Sequence, residues 1–97
     1  MGFEEVARNW RCRLGELDIV VARGGLLVFC EVKTRSGAAF GGGYEAVTTT
    51  KQRKLRRLAE AFLASSRVRP ASIRFDVASV GLTAAHDPDV HLFVDAF

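Results

Sequence analysis

Gly24-Gly25 separates two runs of strand-forming residues, Glu16 to Arg23 and Leu26 to Lys33, and it dictates how they meet. A glycine pair between such runs is a hairpin signal, because the tight loop needs backbone angles that glycine adopts without steric cost. A two-residue loop sets Arg23 against Leu26, and the same register then sets Asp18 across from Glu31 and Glu16 across from Lys33. A four-residue loop gives the same pairing. Side chains alternate along a strand, so one face of the hairpin carries Glu16, Asp18, Val20, Ala22, Leu27, Phe29, Glu31 and Lys33. That face is apolar near the turn and charged at its far end. The opposite face carries Leu17, Ile19, Val21, Leu26, Val28, Cys30 and Val32, and reads as pure core apart from Arg23 at the turn.

The remaining elements follow from pattern and punctuation. Val6 to Arg13 is a further strand of the same meander, and Ser36 to Gly43 is a glycine-rich loop around Phe40. Thr48-Thr49-Thr50 offers helix N-caps. Leu55, Leu58, Ala59, Phe62 and Leu63 then recur at helical spacing, which predicts an amphipathic helix ending around Ser65-Ser66. Ser72 to Val80 is a strand, Ala85-His86-Asp87-Pro88-Asp89 reads as a turn, and His91 to Val94 is a short last strand. Strands, one long helix and more strands predict an α+β or α/β domain with a mixed sheet.

A chain of 97 residues with 48% hydrophobic content has room for one core, and enough apolar surface to offset the entropy of ordering. Its apolar runs are strand-sized, far short of the roughly 18 residues of a membrane span. The N-terminus has neither the basic start and apolar stretch of a signal peptide nor a myristoylation pattern, so a cytoplasmic protein is expected. Cys12 and Cys30 are not a C-x-x-C pair and are expected to be reduced thiols. His86 and His91 lack metal-site spacing with any cysteine, and no Gly-Lys-Ser/Thr follows the glycine-rich stretch to make it a phosphate loop.

The charged end of the hairpin is the chemical feature. Two carboxylates opposite one another on adjacent strands lie about 5 Å apart at Cβ and repel, unless a cation sits between them. Mg²⁺ suits that position, since it accepts one or two carboxylates and completes its shell with water and phosphate oxygens. Lys33, next after Glu31 on the same face, is placed to orient a water or neutralise developing negative charge. The plainer alternative is an exposed Glu-x-Lys ion pair of little energetic weight. Asp76 is expected to pair with an arginine, and Trp10 to lie in the core or an interface.

The net charge of +3 says less than its distribution. Lys51, Arg53, Lys54, Arg56 and Arg57 fall within seven residues with no acid among them. On a helical wheel the last four turn away from the apolar stripe, as a solvated face or as a track for phosphates. Lys51 turns with the stripe, either snorkelling past the core edge or adding a second cation to the Asp18–Glu31 end. The candidate nucleic-acid contacts are Lys51, Arg53, Lys54 and Arg57.

At Arg8-Asn9-Trp10-Arg11, Gly15-Glu16-Leu17-Asp18, Phe29-Cys30-Glu31-Val32-Lys33-Thr34-Arg35, Ala46-Val47…Lys51 and Arg74-Phe75-Asp76-Val77, the sequence resembles the YraN family of small bacterial proteins. That family in turn resembles the restriction-endonuclease-like superfamily, which includes archaeal Holliday junction resolvases and has a mixed sheet flanked by helices. The resemblance implies that Asp18, Glu31 and Lys33 correspond to a D…E-x-K catalytic site, with Asp18 and Glu31 as ligands of Mg²⁺ or Mn²⁺. Family members usually begin with a helix bearing a Gly-Glu pair, whose glutamate is expected to join the metal. Glu4 and Glu5, after Met1-Gly2-Phe3, do not match that pair, so a missing leading helix and weak metal binding are expected.

The resulting expectation is a single endonuclease-like domain over residues 1–97 that hydrolyses structured DNA. Nucleic-acid binding without catalysis, or an interaction module, are the alternatives. No membrane contact is expected, and pairing of two copies is left open.

Overall fold

A computed structural model of the chain describes residues 2–36, 48–83 and 86–97. The strands are β1 (Glu4–Cys12), β2 (Gly15–Arg23), β3 (Leu26–Ser36), β4 (Ser72–Thr83) and β5 (His86–Phe93), with helix α1 (Thr49–Ser65) between β3 and β4. They form one five-stranded sheet in the order β1-β2-β3-β4-β5. The first three strands and the last two run antiparallel, while β3 and β4 are parallel. A parallel pair needs a crossover, and α1 provides it. The domain is therefore α+β with a mixed sheet. No helix among the described residues is long and apolar enough to cross a membrane. Of the glycine-rich stretch expected as a loop, Ser36 closes β3 and residues 37–43 lie outside the described part.

The turn behaves as its glycines require. Gly24 has a φ of 59°, and Arg23 pairs with Leu26 as the two-residue loop demands. The carbonyl of Gly25 accepts from the amides of Ala71 and Ser72, which ties the hairpin tip to the start of β4. At the start of α1, the Thr48 hydroxyl accepts from the amide of Lys51 at 3.2 Å. At its end, Arg69 donates through Nη1 to the carbonyls of Leu63 at 3.4 Å and of the C-cap Ser66 at 2.9 Å, satisfying acceptors that a helix terminus leaves open.

Helix α1 buries Leu55, Leu58, Ala59 and Phe62 against Leu17, Val20, Leu27, Phe29 and Phe75 of the sheet. An aromatic chain runs through this layer. Trp10 and Phe29 each meet Phe62 edge-on, at 5.4 and 5.9 Å between centroids, and Phe75 stacks between Phe29 and Phe97. Trp10 is thus a core-edge residue, as expected.

Two expectations are corrected. The face read as pure core is not the one the helix covers. Val28 on it is buried and Ile19, Val21, Leu26 and Cys30 are half-buried, but Val32 is 41% exposed and no described helix lies over it. The reason is that both hairpin faces are apolar near the turn, and α1 takes the one carrying Val20, Leu27 and Phe29. Leu17 joins them because β2 breaks its alternation after that residue. Second, the stretch read as a turn at His86-Asp87-Pro88-Asp89 is the first half of β5. Proline cannot donate to a ladder and is confined to edges and bulges. β5 is an edge strand whose pairing shifts between Gly81 and Thr83, opposite this proline.

Asp76 pairs with an arginine, as expected. It is 3% exposed and accepts from Nε and Nη2 of Arg74 and from the Asp95 amide, each at 2.9 Å. The bond to Asp76 raises the Arg74 pKa and keeps it charged. Asp76→Ala would leave both donors without their acceptor. It should lower unfolding stability by about 3 kcal/mol in urea titrations; a loss under about 1 kcal/mol would show the pair to be dispensable.

Candidate active site

The site forms where β2 leaves β3. The predicted register holds from Arg23–Leu26 to Ile19–Cys30, and the ladder stops one pair short of Asp18 and Glu31. Beyond that point the Asp18 carboxylate substitutes for a backbone carbonyl, its Oδ2 accepting from the Val32 amide at 2.8 Å. Glu16 does not reach Lys33, as the extrapolated register had it. It pairs instead with Arg11 of β1, its Cα partner in that ladder, at 3.5 Å.

Asp18 and Glu31 both line a void of about 10 Å³ closed by Leu17, Phe29, Cys30, Leu55, Phe75 and Phe97. A void of that size admits a single water. Their mutual repulsion is relieved on both sides. Asp18 has the Val32 amide, and Glu31 has Lys51, whose Nζ lies 2.6 Å from Oε2. Lys51 therefore points inward from the first turn of α1, as the wheel indicates, and meets Glu31 because the helix covers the charged face of the hairpin. The Glu31 side chain is 13% exposed and that of Lys51 45%, so the pair is shielded on its carboxylate side and open to water at the ammonium. Lys33, half-buried, follows Glu31 on β3, and no described carboxylate pairs with it.

The other basic residues divide. Arg53 and Arg57 are exposed on α1. Lys54 lies across the β1–β2 turn, where a Cβ on Gly15 would come within 3.1 Å of its Cε; the φ of 144° there also favours glycine. Arg56 is exposed, as expected, and its guanidinium also stacks over Phe75 and Phe97 with its Cζ 4.8 and 5.7 Å from their centroids. The Phe97 contact joins residues far apart in the chain, which a wheel cannot foresee.

Cys30 borders the same void. Burial, then the charges of Asp76 and Asp18, push its thiol up to about 11. It stays protonated near neutrality and is neither a nucleophile nor a thiolate ligand there. Both cysteines are free. Among the described residues no three His, Cys, Asp or Glu side chains gather as a metal site. The donors that remain, the carboxylates of Asp18 and Glu31, are hard oxygen ligands of the kind that suit Mg²⁺ or Mn²⁺. They do not suit zinc, which wants a nitrogen- or sulfur-rich set.

A mixed five-stranded sheet with a crossover helix is consistent with a restriction-endonuclease-like core. The chain belongs to the uncharacterised protein family UPF0102, the YraN family, whose model matches residues 1–80. It is 60% identical over 79 residues to a UPF0102 protein of Parafrankia sp., covering 81% of this chain and 67% of the relative. It is 52% identical over 95 residues to one from Mycolicibacterium smegmatis, covering 95% of this chain and 77% of the relative. With one from Caldicellulosiruptor saccharolyticus the identity is 44% over 98 residues, covering 100% of this chain and 83% of the relative.

The bond from Val32 to Asp18 gives Asp18 a structural duty separable from its charge. Asp18→Ala removes the acceptor of an exposed amide and should cost about 0.5–1.5 kcal/mol in chemical unfolding, the net worth of one hydrogen bond. Asp18→Asn keeps an acceptor oxygen and should stay within about 0.5 kcal/mol of the parent. Equal losses in both variants would mean that charge, not the hydrogen bond, holds the strands here.

Proposed function

We propose that this protein binds nucleic acid and hydrolyses phosphodiester bonds in structured DNA, using Mg²⁺ or Mn²⁺ held by Asp18 and Glu31. The observation that supports this reading is that Asp18 and Glu31 border one small void at the parting of β2 and β3, with Lys33 next along β3. A hard divalent cation, when bound, supplies activation of water and neutralisation of the phosphate. Asp18 is pre-oriented by the Val32 amide, so its remaining oxygen is offered without reorganisation. Lys33 provides a positive charge on the same strand for the negative oxygens that develop as the bond breaks. Arg53 and Arg57, exposed on α1, supply sequence-independent contacts to phosphates.

The ion pair between Lys51 and Glu31 favours a second reading, nucleic-acid binding without cleavage, because it already satisfies one of the two ligands. The two readings part on Lys33. A charge that acts only in the transition state can be removed with little effect on binding. Lys33→Ala should slow single-turnover cleavage of branched DNA in Mg²⁺ by about 10²-fold, with affinity nearly unchanged. Cleavage by the variant at the parent rate would remove Lys33 from the mechanism, and absence of cleavage by the parent would favour binding alone. Independently, Arg53→Ala with Arg57→Ala should reduce the salt slope of DNA binding by about 0.9 for each phosphate that these arginines neutralise. An unchanged slope would make them an ordinary solvated face.

A further inference from the structure

Strand β1 carries an irregularity that the site described so far does not use. Asn9 lies in the middle of β1 with a φ of 52°, a left-handed backbone that non-glycine residues seldom adopt inside a strand. Arg8 pairs with Ile19 and Trp10 with Leu17, which sets Asn9 directly across from Asp18. Both strands lose step at this pair. Ala7 and Trp10 both pack on the core although three residues apart, and so do Leu17 and Val20, where an unbroken strand would space such residues by two. The pairing numbers do not change across the break, so it is a shared kink rather than a bulge in one strand.

The kink opens a cleft. Arg8, Asn9, Asp18, Ile19 and Val32 line an open depression of about 320 Å³. Asp18 lines this cleft as well as the enclosed void it shares with Glu31, so it stands between the two. Asn9 is exposed, and no described residue hydrogen-bonds its side chain. Arg8 is exposed and donates to Glu5 through Nε and Nη2.

We propose that this cleft receives the sugar–phosphate backbone of the nucleic acid, with the Asn9 amide donating a hydrogen bond to it beside Asp18. The inference rests on the nucleic-acid reading above and adds a contact surface on β1. Glycine would satisfy the backbone angle with no strain, so the angle alone does not call for an amide here. Strained, exposed residues of this kind collect at functional sites. The chemistry also fits the neighbour. A lysine or arginine across from Asp18 would pair with its carboxylate, whereas a neutral amide donates to an anionic oxygen and leaves that carboxylate its charge.

The test uses Asn9→Gly, which keeps the left-handed backbone and deletes the amide, and Asn9→Asp, which keeps the shape and replaces the donor by an acceptor. Each is compared with the parent by fluorescence anisotropy on a labelled branched DNA in EDTA, alongside its melting temperature. Asn9→Gly should melt close to the parent and bind about tenfold more weakly. Its salt slope should be unchanged, because a neutral donor displaces no counterion. Asn9→Asp should bind more weakly still, and it decides the matter if the glycine variant does not fold. Parent-like affinity in the folded variants overturns the inference and leaves the nucleic-acid reading standing. A parent that binds no DNA overturns both.

Discussion

The carboxylate of Asp18 accepting the Val32 amide is the contact on which the site depends. A strand that leaves its neighbour leaves a backbone donor without its ladder partner, and a side-chain acceptor that takes its place is worth about 1 kcal/mol. Asp18 closes that gap from the departing strand itself, so β2 diverges from β3 without abandoning it. The divergence leaves space for a water or an ion beside Glu31. A continuous ladder would have held the two carboxylates opposed on a flat face with no void between them.

The crossover topology does the rest. Because β3 and β4 are parallel, a helix must return over the sheet, and its N-terminal turn arrives at the charged end of the hairpin. Lys51 is carried there by helix geometry and pairs with the largely buried Glu31 from the solvent side. The chain's own ammonium thereby offsets one of the two acidic charges. The same pairing sets a condition on metal binding, since a cation at Glu31 must compete with an ammonium already in contact. The face away from the helix is organised differently. Its buried charge, Asp76, is held by Arg74 and the Asp95 amide, and no buried side-chain polar atom among the described residues lacks a partner. That arrangement is structural.

Much of this was legible in the sequence because short-range rules applied. The turn at Gly24-Gly25 set the register, helical spacing set the buried stripe of α1, and the wheel turned Lys51 inward. What was not legible came from longer range. The ladder was extrapolated through Asp18 because nothing in a strand-like run announces a kink; the one clue is an asparagine at position 9, a residue that tolerates left-handed backbone. Which hairpin face the helix would take was undecided by pattern, since both are apolar near the turn. Pro88 suggested a turn, and only the sheet order revealed an edge strand able to hold it. Arg56 stays exposed, but its stacking on rings contributed by β4 and the C-terminal end could not be foreseen.

Whether Asp18 and Glu31 act together on a divalent cation is best tested by Mn²⁺ binding followed by electron paramagnetic resonance, which needs no substrate and no turnover. Parent, Asp18→Asn and Glu31→Gln proteins are titrated at neutral pH, with Lys51→Met as a fourth sample. If the two carboxylates share one ion, the parent binds a single Mn²⁺ and either carboxylate substitution weakens it by about tenfold or more. Lys51→Met then tightens it, because the competing ammonium is gone. Binding that is absent in the parent and in Lys51→Met, or equal in the parent and both carboxylate variants, would contradict a shared site.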